Sequence, residues 1–142
     1  MKTFYTAIFT KFNAVDGGGD HNSFWTDIGG RMFFGEAPEN VAWPYCVVSH
    51  IASTQRDTFK DKIDDILVQF SIFSSNPSSA EVHDAMTHLK ALFDDATLSI
   101  TGDTLVYFIR GVEGLERDDI DTPDGLQRGW HYHVDYDALV QR

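Results

Sequence analysis

The sequence predicts an α+β fold: an antiparallel or mixed β-sheet with two helices packed on one face. Three observations predict it. The elements run helix, three strands, helix, three strands. Short turns join most of the strands. Two segments carry apolar residues at helical spacing, and the longest of the other apolar segments alternates with the period of two that marks a strand.

Residues 3–15, TFYTAIFTKFNAV, place Phe4, Ile8, Phe12 and Val15 at steps of four, four and three, which is one face of a helix. DGGGDHNS ends it in a Gly-rich loop over 16–22. Residues 24–35 read as extended and finish in a short strand, RMFF. In EAPENVAWPYCVVSH, Pro38 and Pro44 push the residues before them toward extended geometry. Pro44 has no N–H to donate, so it belongs at the first position of a strand, and YCVVSHI follows as that strand.

Residues 62–73, KIDDILVQFSIF, make the longest strand. Ile66, Val68, Phe70 and Ile72 share one face, and Leu67, Gln69, Ser71 and Phe73 share the other. A second helix follows. Ser78 with Glu81 three residues on reads as a capping box, and Val82, Ala85, Met86, Leu89, Leu92 and Phe93 fall on one stripe. Asp94 and Asp95 oppose the helix dipole and should end it. TLSI, the turn TGD and TLVYFIRGV read as a hairpin. An acidic loop, EGLERDDIDTPDG over 113–125, precedes a last strand, LQRGWHYHVDY.

The 142 residues fit one domain, 1–142, which buries roughly 68% of its unfolded surface. With 42% hydrophobic residues and 11 Phe the chain folds rather than staying disordered. Twenty-two acidic against 11 basic residues give a net charge of −11. That balance opposes a nucleic-acid grip, which needs clustered Lys and Arg, and opposes docking on anionic membranes. It suits solubility, a basic partner, or a wall past which DNA slides without sticking. Cys46, the only cysteine, sits among apolar residues as a small buried hydrophobe, so no internal disulfide is expected. No apolar run approaches the ~20 residues of a membrane span. The N-terminal apolar stretch is broken by Thr and Lys, so no signal peptide is expected either.

Candidate chemistry is sparse. His131 and His133 project from one face of a strand with Asp135 in phase. They could be metal ligands, given a third from elsewhere, and a small metal-dependent enzyme using them is one reading. The favoured reading is a polar sheet face alternating with buried Tyr132, Val134 and Tyr136. His83 and His88 point roughly 140° apart on their helix and do not converge. DGGGD and DIGG lack the Lys-Ser or Lys-Thr of a phosphate loop, and DIDTPDG lacks the full pattern of a calcium loop. Apolar surroundings raise the pKa of Cys46 and argue against a nucleophile. No catalytic residue, metal or cofactor is expected. Trp25, Trp43, Tyr45 and Trp130 lie near strand starts or loops, where exposed aromatics anchor protein interfaces.

Taken in order, RMFFGEAPENVAWPYCVVSH, DILVQFSIFSS, SSAEVHDAMTHLKALFDD, LSITGDTLVYF, PDGLQRG and WHYHVDY resemble the phage tail-completion family. These are the tail-to-head joining or tail terminator proteins of long-tailed phages and phage-derived particles such as gene transfer agents. The likeness covers about residues 3–136, and the most telling pieces are AP followed by PYCVV and the strand-then-helix VQFSIFS…EV…LK.LFDD. The Gly-rich loop at 16–22 and the acidic loop at 113–125 are longer than the usual pattern.

The resemblance implies an assembly protein of the virion, put together in the host cytoplasm, with no catalysis and no cofactor. It implies a homo-oligomeric ring, usually six-fold, at the head-proximal end of the tail. The ring would stop the tail tube, dock on the head connector or stopper protein, and let DNA pass through its lumen without specific binding. A head-side connector or another minor tail component is the alternative place in the particle. At least one of the loops at 16–27 and 113–125 is expected to face the lumen or a neighbouring ring, because of their length and acid content. Their candidate residues are Asp16, Asp20, Trp25, Glu113, Glu116, Asp118, Asp119, Asp121 and Asp124, with Trp43 as a further interface anchor.

Overall fold

The sheet orders its strands β1-β2-β3-β5-β4, so the one long-range crossover puts β5 between β3 and β4. Its strands are β1 (Met32–Phe34), β2 (Tyr45–Gln55), β3 (Ile63–Ser74), β4 (Thr104–Thr122) and β5 (Gly125–Gln141). The helices are α1 (Lys2–Asn13), α2 (Ser23–Asp27) and α3 (Ala80–Phe93). The computed structural model describes the backbone of residues 2–122 and 125–142, and the side chains of these residues outside 119–127. β1 runs parallel to β2, and every other pairing is antiparallel, so the sheet is mixed, within an α+β fold. Among the described residues no helix is long and apolar enough to cross a membrane.

The expected faces of β3 hold. Ile66, Val68, Phe70 and Ile72 are all buried, and they meet Tyr132, Val134, Tyr136 and Ala138 of β5 on the same side. Onto this side pack α1, through Phe4, Ile8 and Phe12, and α3, through Val82, Ala85, Leu89 and Phe93. Rings close the contact: Phe70 lies 4.7 Å from Phe93, and Phe108 stacks on Tyr136 at 4.8 Å. Cys46 is fully buried in this core, and burial pushes its thiol pKa up, so it stays an inert hydrophobe.

The proline ramp does what its chemistry predicts. β2 starts directly after Pro44, whose peptide bond with Trp43 is cis. The Arg31 side chain donates to the Pro44 carbonyl at 2.9 Å, and the Cys46 N–H donates to the Arg31 carbonyl at 2.9 Å. The entry of β2 is thereby tied to β1.

Four expectations are corrected. Residues 23–27 are helical rather than extended, because Asn22 caps them: its Oδ1 accepts from the Trp25 N–H at 2.8 Å. The capping box between Ser78 and Glu81 is not made. The Ser78 Oγ accepts from the Ala80 N–H, but the Ser78 N–H goes to Asn76 Oδ1, and the N-cap itself, Ser79, makes no side-chain bond. TLSI is not a strand, although Leu98 and Ile100 are buried in the core and so mimic strand alternation. Most consequentially, 113–122 is strand rather than loop, while 123–124 lie outside the described residues. β4 continues through Thr122 and β5 begins at Gly125, making one hairpin of 19 and 17 residues.

Candidate functional site

Strand pairing sets which residues share the face of the sheet that the helices leave open. Tyr45 pairs with Phe73, Phe73 with His131 and His131 with Glu116, forming one row across four strands. The rings stack along it: Tyr45 on Phe73 at 5.1 Å and Phe73 on His131 at 4.4 Å. Trp43 leans edge-on against Tyr45 at 5.2 Å. These side chains are half-buried, so an aromatic strip with a histidine at its end lies open to a partner.

The His pair sits as the polar-face reading expects, alternating with buried Tyr132, Val134 and Tyr136. Asp135, in phase with it by sequence, is taken instead by Gln69 Nε2 at 2.9 Å. Two carboxylates from the neighbouring strand face the histidines: Asp118 Oδ2 is 3.6 Å from His131 Nδ1, and Glu116 Oε1 is 3.9 Å from His133 Nε2. Burial lowers the pKa of His131, against the opposing pull of Asp118. Spacing along one strand could not reveal this cluster, because half of it comes from β4.

Elsewhere on the open face Asp137 lies beside Asp65. The hydrogen bond to Asp65, with burial, pushes Asp137 up to about 6, while Arg56 holds Asp65 at 3.0 Å. Folded Asp137 binds its proton more tightly than the unfolded chain does, whose value is about 3.9. The stabilisation is therefore fully present below about pH 4 and is lost as pH rises through the folded value. Asp137→Asn keeps a donor at every pH. It is expected to stabilise the protein by about 1 kcal/mol at pH 8, after solvent screening, and to change nothing at pH 4; urea melts at both pH values measure the difference.

The other predicted site residues are scattered. Glu113 points to the helix side, accepting from Tyr132 Oη at 2.5 Å and paired with Lys90 at 3.0 Å; these contacts, the tyrosine first, lower its pKa. It is a structural link between β4, β5 and α3 rather than a free loop acid. Asp16 accepts from the Gly18 and Asp20 N–H groups, which lower its pKa and hold its own turn, and Asp20 is exposed beside it. Trp25 stacks on His21 at 3.8 Å and donates to Asn13, so it is committed within the subunit. Asp119 and Asp121 lie on β4 with side chains outside the described residues, and Asp124 lies outside them entirely.

The sheet edges are the feature that sequence reading missed. Among the described residues β4 is unpaired on its outer side, and it exposes Val106, Ile109 and Val112, the last at 70%. At the opposite edge β1 covers only Cys46–Val48 of β2, leaving Ser49–Gln55 uncovered, with Ile51 and Phe34 exposed. Beside it lies a groove of about 1010 Å³ between α1 and the sheet, lined by Tyr5, Phe9, Val15, Phe34 and His50. Tyr5 Oη meets His50 Nδ1 at 2.6 Å on its floor.

Residues 26–141 match the family described as Tail completion protein gp17. Among solved structures, a chain from a virion of a native gene transfer agent (GTA) particle shares the fold, with a TM-score of 0.72 at 15% identity, over 96% of this chain and 93% of that one. Comparison with curated proteins finds no match.

Proposed function

Because the chain belongs to the tail completion protein family, a structural family of phage-type virion tails, we propose that it forms a homo-oligomeric ring at the head-proximal end of the tail. The ring ends the tube and joins it to the head connector. The observation that carries this reading is the free 19-residue edge of β4, set against a differently built free edge at β1 and β2.

A long strand edge with exposed apolar residues invites another chain, and proteins that stay monomeric blunt such edges. Here Val106, Ile109 and Val112 keep it sticky. The opposite edge supplies Ile51, Phe34 and the α1 groove. Two unlike surfaces on opposite sides make a heterologous contact, which closes into a ring when the rotation per subunit divides a full turn. Strand addition would satisfy the unpaired backbone groups, and the groove would take apolar side chains of the neighbour.

The far half of the β4–β5 hairpin, with Glu116 and Asp118, is assigned to the lumen, together with Asp119, Asp121 and Asp124 of the same segment. A wall of carboxylates repels phosphate and lets DNA pass without adhering. Trp43 and the aromatic strip are assigned to contacts with the tube or connector, where half-buried rings serve as anchors.

The test is the size of the pure protein, alone and with tail-tube subunits, by light scattering and negative-stain imaging. A closed ring is expected. Val112→Asp combined with Val106→Asp should lower the ring population about tenfold or more, since each exposed valine is worth about 1 kcal/mol on burial, while circular dichroism stays unchanged. A variant that assembles like the wild type, or particles that carry the protein away from the tube–head junction, would overturn the reading.

A further inference from the structure

We propose that Glu116, Asp118 and His131, with His133 beside them, form a binding site for a divalent transition cation such as zinc on the open face of the sheet. One ligand atom from each of the first three residues lies within 4.8 Å of the others. Tetrahedral zinc with bonds of ~2.1 Å places its ligand atoms ~3.4 Å apart. Two of the contacts are already close to that spacing: Asp118 Oδ2 to His131 Nδ1 at 3.6 Å, and Glu116 Oε1 to His133 Nε2 at 3.9 Å. Closing the rest takes side-chain rotation of carboxylates that are partly or fully exposed.

The backbone holds the four groups in place. Glu116 pairs directly with His131, Gly114 with His133 and Asp118 with Gly129, so the ligands come from neighbouring rungs of one antiparallel ladder. Gly114 keeps the space for an imidazole: a Cβ there would stand 2.7 Å from His133 Nε2. Stacking on Phe73 fixes the plane of His131.

His131 also leaves its ligand nitrogen without a hydrogen-bond partner among the described residues. Its Nδ1, the ring nitrogen that faces the carboxylates, stands 3.6 Å from Asp118 Oδ2, beyond hydrogen-bond reach. A cation between Nδ1 and the two carboxylates gives that nitrogen its partner and offsets the repulsion of Glu116 and Asp118 on one strand. The mixed donor set, imidazole with carboxylate, favours zinc or a similar transition ion over magnesium or calcium, which take oxygen ligands. The site does not depend on ring formation. Bound metal would clip β4 to β5 across the far half of the hairpin.

The test uses the untagged, full-length protein. Calorimetric titration with zinc chloride should show one ion per chain, and zinc should raise the melting temperature. His131→Gln and Asp118→Asn, each checked for folding by circular dichroism, should weaken zinc about tenfold or more and abolish the thermal shift. Cobalt(II) should give the intense visible bands of a tetrahedral site in the wild type alone. The proposal is overturned if zinc uptake does not saturate, if both variants bind zinc like the wild type, or if magnesium and calcium bind as tightly as zinc.

Discussion

Phe70→Ala is expected to destabilise the protein by about 3–5 kcal/mol, the cost of emptying an aromatic site that cannot collapse. Phe70 is fully buried at the centre of β3, the strand that links the two halves of the sheet. Its ring touches Phe93 at 4.7 Å and Tyr136 at 5.6 Å, so its loss uncouples α3 from β5 as well as leaving a void. Total stability for a domain of this size is about 5–15 kcal/mol. The variant should therefore show a markedly lower urea midpoint and lose assembly at physiological temperature. A loss below about 1 kcal/mol in equilibrium melts would mean that the core is not centred on β3.

Gly129→Ala is the second large effect, and it acts through backbone rather than through a cavity. A Cβ on Gly129 would stand 2.6 Å from the Ser74 carbonyl oxygen, which is backbone and cannot rotate away. β3 and β5 would have to separate where Ser74 pairs with Trp130. Overpacking of this kind costs about 1–3 kcal/mol. Because Gly129 pairs with Asp118, the displacement should also loosen the far half of the hairpin and weaken zinc binding. Amide hydrogen exchange would report it as faster exchange across residues 114–118 and 129–133. Protection equal to wild type there would contradict the packing described.

The parts of the fold visible in the sequence were those in which local chemistry and tertiary placement agree. β3 showed both faces in its alternation, and α3 showed its stripe. β2 showed its start through Pro44. The short helix α2 was also written locally, in Asn22 before SFWTD, but five residues carry too little periodicity to stand out. The hairpin was not legible. β4 mixes Gly111, Gly114 and a run of acids over a stretch where strand propensity is low. It is a strand because β5 supplies a ladder of partners along it, and register shifts near 105–107 and 110–113 absorb its irregularities.

The candidate site divides the same way. That His131 and His133 would share a polar face followed from their spacing alone, as did the acidic balance that disfavours a grip on DNA. Which acids reach the histidines did not follow, because Glu116 and Asp118 arrive from another strand while Asp135 is drawn off by Gln69. Glu113 belonged on paper with the loop acids, yet one position's difference in parity turns it to the helix side and onto Tyr132.

The sequence by itself determined the α+β class, the faces of β3 and α3 and the likeness to tail-completion proteins, since all of these depend on residue order and on periods of 2 and 3.6. Only the tertiary structure decided the length of the hairpin, the two unlike free edges and the meeting of carboxylates with imidazoles. Those depend on which strands become neighbours, and strand adjacency joins residues far apart in the chain that no local pattern links.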